Sequence, residues 1–307
     1  MNFQRDNFIS TVQQLAEKDK DIVFLSADFG APALDHFIRD LPEQFFHLGI
    51  SEQNLIDVAI GMSLKGKKVI TYAMAPFISL RCAEQHKLAA MMKLPIINVI
   101  AGVGLGYANA GPTHYATEDY GLAVNFIGST VYTISDAPLA GECANSLLAN
   151  PTFSFVRMDR APGPDLSEIS AANFSKGHRS FFNGSEACVI SHGYPLMKIV
   201  TALKDKPELA NRITVIDLFK SKPFGNQFLK DIQSFDRILT VDEQIASSSL
   251  GRHLLPTLVQ GRDSSKVRNM ALTEEFMFAN SGRDGLLDEA GIGTQAVLAQ
   301  ISELIAS

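Results

Sequence analysis

Three short stretches of this chain carry side chains that can do chemistry. Each lies where an apolar run gives way to a loop or helix. Gly49-Ile50-Ser51-Glu52-Gln53-Asn54 places a carboxyl group at the start of a half-apolar helical segment. There Glu52 is either a simple partner for the positive end of the helix or an acid held in an apolar site to handle a proton. Ala75-Pro76-Phe77 sets an aromatic ring just past another apolar run. Phe77 can staple the following helix to the core, or present its ring face to a planar heterocycle. Gly111-Pro112-Thr113-His114 holds an imidazole in a loop stiffened by proline. His114 is either an ordinary surface histidine or a hydrogen-bonding, proton-carrying one. Arg157, at the end of Phe153-Ser154-Phe155-Val156, is expected either to pair with Asp159 or Asp165 or to hold an anionic substrate group.

The elements that must position these residues are legible in the apolar pattern. Ile22–Leu25, Phe45–Leu48, Lys68–Tyr72, Pro95–Ala101, Val131–Ser135 and Phe153–Val156 read as strands. Between several of them run helical spacings, over 7–17, 54–64 and 80–92. Continuous apolar strands alternating with helices predict a mostly parallel sheet covered on both faces. In such sheets ligands sit beyond the carboxyl ends of the strands. Asp28, Glu52, Phe77, His114 and Arg157 all fall there. Proline, glycine and polar residues from 161 to 185 predict a linker. A second alternating unit follows, with strands at 187–191, 213–218, 238–242 and 267–270. The expected architecture is therefore α/β in two domains, 1–160 and 186–307, each a mostly parallel sheet with helices on both faces.

Composition narrows the function classes. The 307 residues carry a formal net charge of -6, and no basic cluster offers a nucleic-acid surface. The most apolar stretch, 88–106, is interrupted by Lys93, Pro95 and Asn98, so no membrane span is expected. The opening residues do not read as a signal peptide. Cys82, Cys143 and Cys188 are scattered, which fits a reducing cytoplasm and gives no metal framework. Gly102-Val103-Gly104-Leu105-Gly106 has the wrong spacing and context for a dinucleotide loop.

Taken together and in this order, the three stretches resemble the pyrimidine-binding domain of the transketolase family of thiamine-diphosphate enzymes. The second unit, with Val215 to Pro223 and Val241-Asp242-Glu243-Gln244, is similar to that family's C-terminal domain. The resemblance implies that Glu52 meets the ring nitrogen of the cofactor's aminopyrimidine and drives the tautomer shift that turns the cofactor's own amino group into a base. It implies that Phe77 stacks on the pyrimidine, with Met74 in the place of a further pocket aromatic. Asp28 matches an acid near the cofactor and the dimer interface. His114 matches the histidine that contacts the reacting oxygen of the donor, and Arg157 matches an arginine for substrate phosphate.

The family's Gly-Asp-Gly segment, which binds the diphosphate and its Mg2+ or Ca2+, is absent from this chain. The resemblance therefore implies a partner subunit carrying that site, in a heterotetramer. Ala110 stands where transketolases place an acid that reads a sugar hydroxyl, and Gly102 where a histidine helps hold a sugar phosphate. Fewer such donors point away from pentose phosphates and toward a modified sugar or a small 2-oxo acid. The expected activity is ketol transfer from a ketose to an aldehyde. A 2-oxo-acid-decarboxylating enzyme, of the deoxyxylulose-phosphate synthase or 2-oxo-acid dehydrogenase beta type, is the alternative; a non-catalytic scaffold is the third reading.

Overall fold

The computed structural model describes residues 3–27 and 32–306. Twelve strands are present among them. The first six are β1 (Ile22–Ser26), β2 (Phe45–His47), β3 (Lys68–Met74), β4 (Ile96–Ala101), β5 (Thr130–Thr133) and β6 (Ser154–Met158). The others are β7 (Arg179–Phe181), β8 (Ala187–Ser191), β9 (Ile213–Asp217), β10 (Lys220–Lys222), β11 (Ile238–Ile245) and β12 (Val267–Leu272). They form two sheets, ordered β10-β5-β6-β4-β3-β1-β2 and β12-β11-β8-β9-β7. All pairings are parallel except those of β10 with β5 and β7 with β9. The central strands β1, β4 and β6 are buried along their whole length. Both of their faces meet apolar side chains, which is why they lack polar alternation.

The division at 160 and 185 needs two refinements. The segment expected as a linker contributes β7 to the edge of the second sheet, and its Leu166 is fully buried in that unit's core. Lys220–Lys222, from the second unit, instead closes the edge of the first sheet against β5. The Lys222 ammonium there donates to the Val124 and Phe126 carbonyls at the end of the helix Asp119–Asn125, satisfying helix-end carbonyls that have no partner within the helix. The two units thus share a hydrogen-bonded seam.

The helix expected over 80–92 is two helices, Ala75–Arg81 and Ala83–Met91, meeting at Cys82. His86 on the second is wholly buried, edge-on to Phe155 and Phe126. Its Nε2 lies 3.1 Å from the Ile78 carbonyl, so the neutral ring donates there. Burial pushes its pKa down to about 4 from 6.5. The unfolded chain then takes up a proton before the folded one. Stability from neutral His86 is complete above pH 6.5 and drains as pH falls toward 4. Urea titrations should show a loss of about 1.4 kcal/mol per pH unit across that window. A His86→Leu chain should lack this component. Equal acid slopes in both proteins would rule His86 out as its source.

Candidate functional site

The carboxyl ends of β2, β3 and β4 deliver the three stretches to one place. After β2 the chain turns at Gly49, whose φ of +73° favours glycine. It then enters the helix Glu52–Leu64, with Glu52 in the first turn and 2% exposed. β3 ends at the half-buried Met74, level with Ala101 of β4, and the helix Ala75–Arg81 starts at once. Pro76 near its N-terminus is pre-set for helix. β4 leads through the glycine-rich segment to a short 3-10 turn, Pro112–His114.

These side chains form a continuous series of contacts. Arg81 Nη1 donates to Glu52 Oε2 at 2.6 Å. The same guanidinium lies over the Phe77 ring, 5.0 Å from its centroid. Phe77 meets His114 edge-to-face at 5.3 Å between ring centres. Thr113 Oγ1 lies 3.0 Å from His114 Nδ1 and fixes the ring's rotation from the other side. Glu52, Phe77 and His114 are thus brought together from three strand ends, with Arg81 linking the first two. Asp28 lies outside the described residues.

Arg81 is the participant that sequence reasoning missed. It stands four residues after Phe77, one helical turn away, and that spacing was the available signal. Among the described residues no three His, Cys, Asp or Glu side chains gather in a metal-ligating group.

Of the two roles open to Arg157, the structure shows a buried ion pair, with Asp119 rather than Asp159 or Asp165 as the partner. It is 2% exposed and turned into the core. Its Nε and Nη2 donate to the two oxygens of Asp119 at 2.7 and 3.0 Å, and Nη1 donates to Thr133 Oγ1 at 2.8 Å. Its plane lies over Tyr120. The expected partners are committed elsewhere: Asp159 pairs with Arg283 at 2.7 Å, and Asp165 accepts from Ser167. All three guanidinium nitrogens are engaged and the side chain is 2% exposed, so an incoming phosphate meets no accessible donor.

An open parallel sheet whose carboxyl-edge loops gather an acid, an aromatic ring and a histidine is the frame of a ligand-binding α/β protein. A family model described as the transketolase pyrimidine binding domain matches residues 5–162, about half of the chain. The chain belongs to the transketolase family. It is 29% identical over 260 residues to one subunit of the apulose-4-phosphate transketolase of Phocaeicola vulgatus, covering 83% of each chain. It is 25% identical over 251 residues to the 6-deoxy-6-sulfo-D-fructose transketolase subunit SqwH of Clostridium sp. (strain MSTE9), covering 80% of this chain and 78% of the relative. A solved structure described as a split gene transketolase, inactive beta4 tetramer, shares the fold with a TM-score of 0.87 at 22% identity, covering 100% of this chain and 99% of that one.

Proposed function

We propose that this chain is the pyrimidine-side subunit of a two-chain, thiamine-diphosphate-dependent, transketolase-like enzyme that moves a two-carbon ketol unit from a ketose to an aldehyde. The observation that carries the reading is the joined placement of Glu52, Phe77 and His114. Arg81 supports it in a specific way. It hydrogen-bonds the buried carboxylate and lays a planar cation over the Phe77 ring. A flat aminopyrimidine needs the same two contacts, an acid at its edge and an aromatic face. The Arg81 side chain is 45% exposed, whereas Glu52 is enclosed.

Thiamine diphosphate would supply the nucleophilic carbon. Glu52, itself enclosed, would hold and relay a proton at the pyrimidine ring nitrogen. Phe77 would fix the plane of the ring, with Met74 beside it. His114, at the solvent end of the series, would hydrogen-bond the reacting oxygen of the donor. The names of the two relatives above support a sugar-derived donor and a subunit that works with another. The partner would carry the diphosphate and its Mg2+ or Ca2+, in a heterotetramer.

The test is a pull-down of the tagged chain from its native cell extract, followed by assay of the complex with thiamine diphosphate and magnesium. A co-purifying chain with a Gly-Asp-Gly segment and ketol transfer by the pair is expected. Turnover by this chain alone would overturn the two-chain reading. Pyruvate decarboxylation without ketol transfer would replace it with the decarboxylating alternative.

A further inference from the structure

The second unit reaches the loop of the candidate site through polar contacts from β11 and through an apolar cluster that packs Leu105, Ala108 and Tyr115 against Leu272, Leu286 and Leu287. The loop that carries His114 leaves the core at Gly104 and returns at Ala116, where the two residues exchange backbone hydrogen bonds of 2.9 Å each. Both ends of this loop rest on β11. At the outgoing end, Leu105 N–H donates to Glu243 Oε2 at 3.2 Å. Gly104, with φ of +58°, lets the carboxylate come so close that an added Cβ would lie 2.3 Å from its Cδ. At the returning end, Gln244 Nε2 donates to the Ala116 carbonyl at 2.7 Å, and its Oε1 accepts from Tyr120 N–H at 3.2 Å. Ile245 N–H donates to the Thr117 carbonyl at 3.1 Å.

Glu243 is itself held. Arg283 pairs with both of its oxygens through Nε and Nη2 and with Asp159, just past the end of β6, through Nη1. The guanidinium lies 3.8 Å from the centre of the Tyr194 ring. Glu243 and Asp159 are buried, and the Arg283 side chain is 10% exposed. Such a network has few alternative arrangements, because each unpaired member would be costly.

We propose that Glu243 and Gln244 are positioning residues: from the second unit they clamp both ends of the Gly104–Ala116 loop and so set where His114 stands relative to Phe77 and Glu52. The proposal rests on the reading of His114 given above. It assigns the second unit a task in the site beyond packing. Loss of a clamp that served only to join the units would lower overall stability and leave the loop no looser than the rest.

The experiment is amide exchange by mass spectrometry on the full chain, comparing wild type with Gln244→Met and with Gly104→Ala. The second variant keeps every polar group and forces the loop off the Glu243 carboxylate. Exchange across 104–116 should rise about tenfold or more while the helix 52–64 stays within about twofold of wild type. In the reconstituted enzyme the donor KM should rise and kcat fall, with the KM for thiamine diphosphate unchanged. Unchanged exchange in the loop, or an equal rise in both segments, would overturn the proposal. An inactive wild-type pair would instead sink the proposed function, and the exchange result would still decide whether the clamp exists.

Discussion

Glu52→Gln should cut ketol-transfer kcat in the reconstituted enzyme by about 10²–10⁴-fold, the usual weight of a positioned proton-handling group. Glutamine matches glutamate in size and still offers Arg81 an oxygen at the place where Oε2 accepts now. The helix start loses a favourable charge, which is worth only about 0.3–1 kcal/mol. The fold should therefore hold, and urea unfolding should show it. What the amide cannot do is pass a proton to a ring nitrogen and take it back. The diagnostic step is exchange of the cofactor's thiazolium proton, followed by NMR in deuterated water. It should slow as well, even without substrate, because it precedes any contact with substrate. Wild-type exchange and turnover in Glu52→Gln would leave Glu52 as no more than an acid at a helix start.

The parts of this site that could be read in advance are those carried by local pattern. Ile96–Ala101 is a fully buried strand, apolar but for Asn98, so the loop after it had to emerge at the sheet's carboxyl edge, and His114 with it. Glu52 and Phe77 follow strand ends in the same way. What escaped depends on partners remote in the chain. The helix Ala137–Ala149 was overlooked although Asp136 caps it, accepting from Leu139 N–H, and Pro138 opens it; its small residues blur the apolar spacing. Lys220-Ser221-Lys222 has no strand character of its own and becomes one only because β5 leaves an open edge. The Gln244 side chain gives no sign in sequence that it holds a loop 128 positions earlier. Long-range polar pairs of this kind are set by topology, which composition and period do not specify.

Arg157→Met is expected to destabilise the chain by about 3–5 kcal/mol, measured by urea unfolding, because it strands a buried carboxylate. Asp119 is 1% exposed, and the guanidinium covers both of its oxygens. Methionine fills part of the space and lies acceptably against Tyr120, yet donates nothing. Removing both charges separates the causes. Arg157→Met combined with Asp119→Leu should recover most of the loss, since a pair replaced by apolar groups of similar volume is often neutral. If Arg157 instead gripped a substrate anion, the signature would reverse. The single variant would unfold at the wild-type urea concentration, and the donor KM would rise in the reconstituted enzyme. The closed geometry of the pair, with Thr133 Oγ1 accepting from Nη1, favours the first outcome. A substrate phosphate must then be met by a cation other than Arg157.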